Sequence, residues 1–309
     1  MAKENTQEAV VVRVDARQCE IRVQREIVPA AMRGRIFENC GQDKIPVAVG
    51  DLCLVTQETN GYAITEILPR RNLFSRRSAG NDGRRQILAT NVDQIVIVAC
   101  FGVPPFSSIT TDRILSAASS SKIPAVLVLN KLDCAKKKKM EAILTTYRNA
   151  GITVLPTSAI TGEGVDAFAS CIQGKQSVLY GLSGVGKSSL LNYVEDGLGI
   201  KTKEVSASLH AGRHTTTFTR MYALQAGGHV IDTPGVRSFR PINIPANELR
   251  LHWPEMSFLG RDCRFPACLH HQEPDCAVRQ AAETGAIPES RYRSYLNLLE
   301  EIQDFEQQH

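Results

Sequence analysis

The sequence contains no run of about 18 apolar residues, the length that a membrane-spanning helix needs. Its first residues, Met1-Ala-Lys-Glu-Asn-Thr6, hold no apolar signal-peptide core. Both absences argue against a membrane partner, and the expected location is the cytoplasm, where disulfides are rare. Charge is also in short supply. The net charge is only +4, so any nucleic-acid binding must come from local patches. Nine cysteines are an odd number. Cys19, Cys40, Cys53, Cys100, Cys134 and Cys171 are scattered, most of them in surroundings that suit a small buried hydrophobe. Cys263, Cys268 and Cys276 cluster. A chain of 309 residues should hold two or three domains.

What is present is organised around Gly181-Leu-Ser-Gly-Val-Gly-Lys-Ser188, which follows the apolar run Ser177–Tyr180. Read as strand, loop and helix start, the spacing Gly-x4-Gly-Lys-Ser is that of a phosphate-binding loop. Its glycines let backbone N–H groups wrap a phosphate, and the helix that follows adds its positive end. Gly181, Ser183, Gly184, Val185, Gly186, Lys187, Ser188 and Ser189 are the candidate contacts. Lys187 would reach the β- and γ-phosphates, and the Ser188 hydroxyl would take a magnesium position.

The loop does not name the base. Asn130-Lys-Leu-Asp133, at the end of the apolar run Pro124–Leu129, does. The Asp133 carboxylate can accept from N1–H and the 2-amino group of guanine, whereas adenine would leave it unpaired. Lys131 can lay its stem along the base, and Asn130 can tie this loop to the phosphate loop. Ser158 and Ala159, after the run Ile152–Leu155, supply a second base-binding loop. Downstream, His229-Val-Ile231 runs into Asp232-Thr-Pro-Gly235. There Asp232 would hold magnesium, and the Gly235 N–H would sense the γ-phosphate. Thr216, within Gly212-Arg-His-Thr-Thr-Thr217, should complete the magnesium shell. A P-loop kinase fits poorly, since Asp133 has no purpose in an ATP site.

Around these motifs the texture changes along the chain. Residues 9–68 read as about five short strands, an all-β barrel with an OB fold leading and an SH3-like barrel competing. Its arginines are offset by acids, so a mixed solvated surface and an RNA face stand equal. Arg70, Arg71, Arg76, Arg77, Arg84 and Arg85 face one acid, Asp82, and read as a basic linker that contacts RNA or is simply solvated. From Asp93, apolar strands alternate with helices at about 111–120, 137–150 and 164–173, the pattern of a parallel sheet covered on both faces. Lys136–Lys139 opens one of these helices and reads as a solvated face, with RNA contact as the alternative. The expected division is 1–69 for the barrel, 70–88 for the linker, 89–240 for the nucleotide domain and 241–309 for a C-terminal α-helical module.

Together the motifs resemble the translation-factor-related GTPases in an altered order, with Asn130–Asp133 and Ser158–Ala159 ahead of Gly181–Ser188 and Asp232–Gly235. Such a site survives permutation because every motif can sit at the carboxyl edge of one parallel sheet. A circularly permuted α/β P-loop GTPase flanked by an OB-like barrel and a cysteine cluster resembles the small-ribosomal-subunit biogenesis GTPase family (RsgA/YjeQ type). Gly212–Thr217 and Asp232-Thr-Pro-Gly-Val-Arg-Ser-Phe239 carry that resemblance. It implies a GTP hydrolase with GTP and GDP as substrate and product, stimulated by the small ribosomal subunit during its late maturation. The partners would be that subunit and its rRNA, and the protein is expected to be a monomer.

Val236 stands where many GTPases place a water-orienting glutamine, so intrinsic hydrolysis should be slow. His214 is the candidate for water positioning or base work, with a structural histidine as the alternative. A non-catalytic GTP-sensing RNA-binding module is the rival reading of the whole chain. Cys263, Cys268, His270 and Cys276 lie within 14 residues, and Cys3His is a ligand set for closed, structural zinc. Buried free thiols are the alternative. His271 is the rival ligand, and the family spacing Cys-x4-Cys-x-His-x5-Cys favours His270. Tyr292, Tyr295, Leu296, Leu299, Ile302 and Phe305 keep helical spacing and predict an amphipathic packing helix.

Overall fold

The computed structural model describes residues 6–15, 19–38, 41–59, 61–78, 83–195, 219–233 and 239–308. The N-terminal part comprises β1 (Thr6–Val14), β2 (Cys19–Val23), β3 (Glu26–Met32), α1 (Gly34–Glu38), β4 (Leu52–Glu58) and β5 (Gly61–Ile67). The strands run in the order β1-β2-β3-β5-β4, and β4 closes back onto β1. The β3–β5 pairing is parallel. A helix between the third and fourth strands, with this closure, is the OB arrangement rather than the SH3-like one. Residues facing inward, including Val11, Ile21, Val55 and Ile64, are fully buried. β3 is the strand least visible in the sequence because it contains Pro29, which cannot donate to a ladder. Its pairing with β5 begins only at Ala30.

Residues 70–88 form a hairpin rather than an open linker. β6 (Leu73–Arg77) pairs with β7 (Arg85–Thr90), while 79–82, with most of the expected Gly80–Gly83 turn, lie outside the described residues. Its arginines find partners elsewhere in the protein. Arg70 pairs with the buried Asp51 at 2.7 Å, and Arg85 with Asp43 at 2.5 Å. The Arg77 guanidinium lies 3.4 Å from the centre of the Phe305 ring. Only Arg71, which meets Asp93, and Arg84 stand at the surface.

The nucleotide domain is built on five parallel strands in the order β10-β9-β8-β11-β13, with β12 antiparallel beside β13. These are β8 (Gln94–Cys100), β9 (Ala125–Asn130), β10 (Thr153–Pro156), β11 (Gln176–Tyr180), β12 (Arg220–Ala223) and β13 (His229–Asp232). Side chains alternate across a strand, and here they feed two cores. Ile95, Ile97, Leu127, Leu129 and Val178 pack under α2 (Ser108–Ser120) and α3 (Lys137–Asn149). Val96, Val98, Val128 and Leu179 pack under α4 (Val165–Ile172) and α5 (Lys187–Val194). α2 starts three residues before the sequence pattern suggests because the Ser107 hydroxyl caps it, accepting from Thr110 N–H. One bridge, Arg13 with Arg220, joins β1 to β12, so barrel and nucleotide domain share an eleven-stranded sheet.

The C-terminal part holds α6 (Pro254–Leu259), α7 (Ala277–Glu283) and α8 (Glu289–Gln308). The expected stripe on α8 packs as read: Tyr295, Leu299 and Ile302 are buried with Leu298, and Tyr292 and Leu296 lie against the same core. α8 is fixed to α2 through Arg291, which is 2% exposed and ion-paired with Asp112, itself 1% exposed. Among the described residues no helix is long and apolar enough to cross a membrane.

Candidate functional site

Every described nucleotide motif lies at the carboxyl end of a parallel strand: Asn130–Asp133 after β9, Ser158–Ala159 after β10, Gly181–Ser189 after β11 and Asp232 closing β13. At the phosphate loop the glycine requirement is steric. A Cβ on Gly181 would stand 2.1 Å from the Val98 carbonyl oxygen, and one on Gly186, at φ +96°, 2.2 Å from the Asn130 amide nitrogen. Ser183 and Gly184 are exposed at the loop tip, while Val185 is buried beneath it. Ser188 and Ser189 occupy the first turn of α5 and are half-buried. Lys187 donates from Nζ to the Gly181 and Leu182 carbonyls at 2.9 and 3.3 Å. Its ammonium therefore lies along the loop.

Asn130 is the keystone between the motifs. Its Nδ2 donates to the Val185 carbonyl at 2.9 Å, and its Oδ1 accepts from Ala159 N–H at 3.2 Å. One buried amide thus holds the phosphate loop, the base loop and the Ser-Ala loop in register. The Ser158 hydroxyl donates to Asp133 Oδ1 at 2.6 Å, which with lesser causes holds that carboxyl below its usual range. Asp133 is exposed and ionised, ready to accept from a base. Lys131, at φ +61°, donates from Nζ to the Val103 carbonyl. Sequence reasoning missed this Val103 contact and the Ser158 hydrogen bond, since neither residue type marks such a role.

Asp232 is 1% exposed, and its Oδ1 has no hydrogen-bond partner among the described residues. Burial pushes its carboxyl up to about 6, with Lys187 opposing, and burial lowers the Lys187 ammonium in turn. A buried carboxylate with a free oxygen beside the phosphate loop suits a cation-supported role. His214, Thr216, Gly235 and Val236 lie outside the described residues.

In the C-terminal part, Cys263, Cys268, His270 and Cys276 bring one ligand atom each to within 4.8 Å of the others. Cys263 Sγ lies 3.9 Å from Cys276 Sγ, and His270 Nδ1 lies 3.6 and 3.5 Å from those two sulfurs. A zinc tetrahedron, with bonds of about 2.3 Å to sulfur and 2.0 Å to nitrogen, has edges of roughly 3.5–3.8 Å. The donor set fits. His270 is held at φ +60°, and its carbonyl accepts from the Tyr292 hydroxyl. Burial and the Arg250 guanidinium push its imidazolium down to about 4, leaving the neutral ring a metal requires. His271 is exposed and not part of the cluster, and its backbone N–H donates to Glu273. Of the scattered cysteines, Cys19, Cys53 and Cys100 are buried, Cys171 is half-buried, Cys134 is exposed and Cys40 lies outside the described residues.

A family model described as RsgA GTPase matches residues 67–241. The small ribosomal subunit biogenesis GTPase RsgA of Bacteroides fragilis is 38% identical over 263 residues, covering 84% of this chain and 85% of that protein. The protein of that name from Caldanaerobacter subterraneus subsp. tengcongensis is 38% identical over 288 residues, covering 93% and 92%. Among solved structures, YjeQ from Thermotoga maritima superposes with a TM-score of 0.73 at 29% identity, covering 96% of this chain and 99% of that one. YloQ, described as a circularly permuted GTPase, gives 0.68 at 28% identity and covers 98% of each chain. Motif order, the convergence of the motifs on one sheet edge and these similarities agree: the chain belongs to the RsgA GTPase family.

Proposed function

We propose that this GTPase docks on the small ribosomal subunit through its rRNA and hydrolyses GTP fastest there, during late maturation of the subunit. The observation that carries the nucleotide chemistry is the Asn130 amide, which bridges the guanine-reading loop and the phosphate loop. The partner rests on the relatives, whose names tie them to small-subunit biogenesis. With that partner the protein would work in the cytoplasm, as a monomer. We assign the barrel to residues 1–69, the basic hairpin to 70–88, the GTPase domain to 89–240 and the zinc-binding module to 241–309.

In this reading Lys187 and the N–H groups of Gly181–Ser189 hold the phosphates. Asp133, held in place by Ser158, reads the guanine edge, and Lys131 covers its face. Ser188, Thr216 and Asp232 would hold a magnesium ion, which neutralises phosphate charge when bound. Cys263, Cys268, His270 and Cys276 would hold one structural zinc ion. Val236 cannot orient a water, so His214 does so on the docked protein. Activators of other GTPases supply about 10^3–10^5 in rate.

Phosphate release should be slow for the protein alone and strongly stimulated by purified small subunits. Release that stays at background with subunits present would favour the rival, a GTP-sensing RNA-binding module. His214→Ala should keep GDP affinity and lose the stimulation. Equal stimulated rates in variant and parent would refute the role of His214.

Base reading has its own test. An amide at position 133 donates where the carboxylate accepted, so Asp133→Asn should weaken GDP binding at least about 100-fold. It should gain affinity for xanthosine diphosphate, whose C2 carbonyl accepts. Competition of the two nucleotides, with ADP alongside, measures this, and unchanged guanine preference would remove Asp133 from the site.

A further inference from the structure

Three buried rings meet behind the nucleotide site. Phe74 of β6 stacks on Phe239 with centroids 5.6 Å apart and planes 16° from parallel. Tyr180 meets Phe239 edge-on at 5.2 Å and Phe74 at 6.1 Å. None is more than 1% exposed. Their places in the chain give the cluster its interest. Tyr180 is the last residue of β11, immediately before Gly181. Phe239 is the first described residue after the Asp232 motif. Phe74 belongs to neither, but to the hairpin between the barrel and the nucleotide domain.

A backbone bond reinforces the contact: Arg77 N–H donates to the Arg240 carbonyl at 2.8 Å. On the strand side, Thr233 donates from its hydroxyl to the Leu179 carbonyl at 2.8 Å, tying the end of β13 to β11. The chain from Asp232 to Arg240 is therefore fixed at both ends. Thr233 fixes the front to β11, and the hairpin fixes the back through Phe239 and Arg240. One aromatic residue of the hairpin touches both the root of the phosphate loop and the return of the Asp232 segment.

We propose that Phe74 is a positioning residue for GTP hydrolysis, setting the register between the phosphate loop and Asp232 at the end of β13 through Tyr180 and Phe239. It touches no substrate. Its effect is geometric: stacked and edge-on rings have fixed preferred orientations, and aliphatic side chains of similar volume fill the space without imposing them. A misplacement of 1 Å in an active site costs as much as about 100-fold in rate. Ground-state nucleotide binding, carried by Lys187, the loop N–H groups and Asp133, does not need that register. This inference rests on the chain hydrolysing GTP at the site described above.

The test compares Phe74→Leu, Phe239→Leu and the double variant with the parent, without and with small subunits. The readouts are GDP affinity, melting temperature and single-turnover hydrolysis of bound GTP. Phe74→Leu should bind GDP within about twofold of the parent and hydrolyse GTP at least about tenfold more slowly. The double variant should lose less rate than the two single losses combined, because both changes remove the shared Phe74–Phe239 stack. Hydrolysis at the parental rate in folded Phe74→Leu would overturn the proposal. So would a loss of rate that only parallels losses of GDP affinity and melting temperature, since that is what simple core damage gives. If the parent itself releases no phosphate under either condition, the hydrolytic reading fails and the proposal with it. A parent that is active beside an unaffected Phe74→Leu isolates the failure to Phe74.

Discussion

Arg291→Ala is expected to destabilise the protein by about 3–5 kcal/mol, the usual result of removing one partner from a buried ion pair. The guanidinium is 2% exposed and serves three groups at once. It pairs with Asp112 on α2, donates from Nε to Glu255 on α6 at 2.7 Å, and lies 4.1 Å from the centre of the Trp253 ring. Tyr147 adds a hydroxyl bond to Asp112 at 2.9 Å. Without Arg291, Asp112 stays buried with only neutral donors. Burial already pushes its carboxyl up to about 6, with Arg291 the chief opposing influence. A carboxyl raised in the folded state stabilises that state as pH falls through its folded value toward its ordinary one. Losing Arg291 raises that carboxyl further, so the loss in Arg291→Ala should shrink as pH is lowered toward about 6 and level off below it, where Asp112 of the parent also protonates. Urea unfolding at neutral and mildly acidic pH measures both effects. A loss under about 1 kcal/mol, the scale of a surface pair, would show that the joint between α8 and α2 does not depend on this cluster.

Removing the metal should do more to one part of the molecule. Structural zinc contributes apparent folding energies of about 10–16 kcal/mol in small zinc-dependent peptides. Here the proposed ligands Cys268 and Cys276 belong to the same core as Trp253, Met256, Val278 and Tyr295. Trp253 is the chain's single tryptophan and is 1% exposed, so its emission reports on this core. Metal analysis should find one zinc per chain. A strong chelator, or Cys268→Ser, should red-shift the tryptophan emission while GDP binding persists, because the nucleotide loops draw on the two separate cores beneath the sheet. Emission that stays unshifted once the metal is gone would assign the folding of this module to its apolar core alone.

The nucleotide site was legible because its chemistry is local. The loop Gly181–Ser188 carries its own geometry, and a carboxylate at 133 has one sensible use beside it. The α/β sheet was equally plain from its apolar runs. What escaped was everything settled by partners distant in sequence. Arg70 and Arg85 read as RNA-contacting or solvated linker residues until Asp51 and Asp43 stand against them. The Pro29 strand was invisible because its residues argue against a strand, and only its pairing with β2 and β5 makes one. Phe74, Tyr180 and Phe239 are ordinary core residues until the fold places all three together. The family spacing already favoured His270 over His271, but the φ of +60° at which His270 is held is encoded by no pattern of residue types.

The shared sheet has a consequence for how the protein is made. β1 leaves the ribosome before the rest of the sheet, yet its bridge to β12 waits on Arg220, near the far end of the nucleotide domain. β11, which leads into the phosphate loop, needs β8 from earlier in the chain and β13 from later. A nascent chain therefore exposes the loops at Asn130–Asp133 and Ser158–Ala159 well before the strand that carries Asp232 exists. Because domains fold in the order of synthesis, the barrel can close while the sheet behind it is still half built. The nucleotide site becomes whole only when translation of the nucleotide domain is nearly finished.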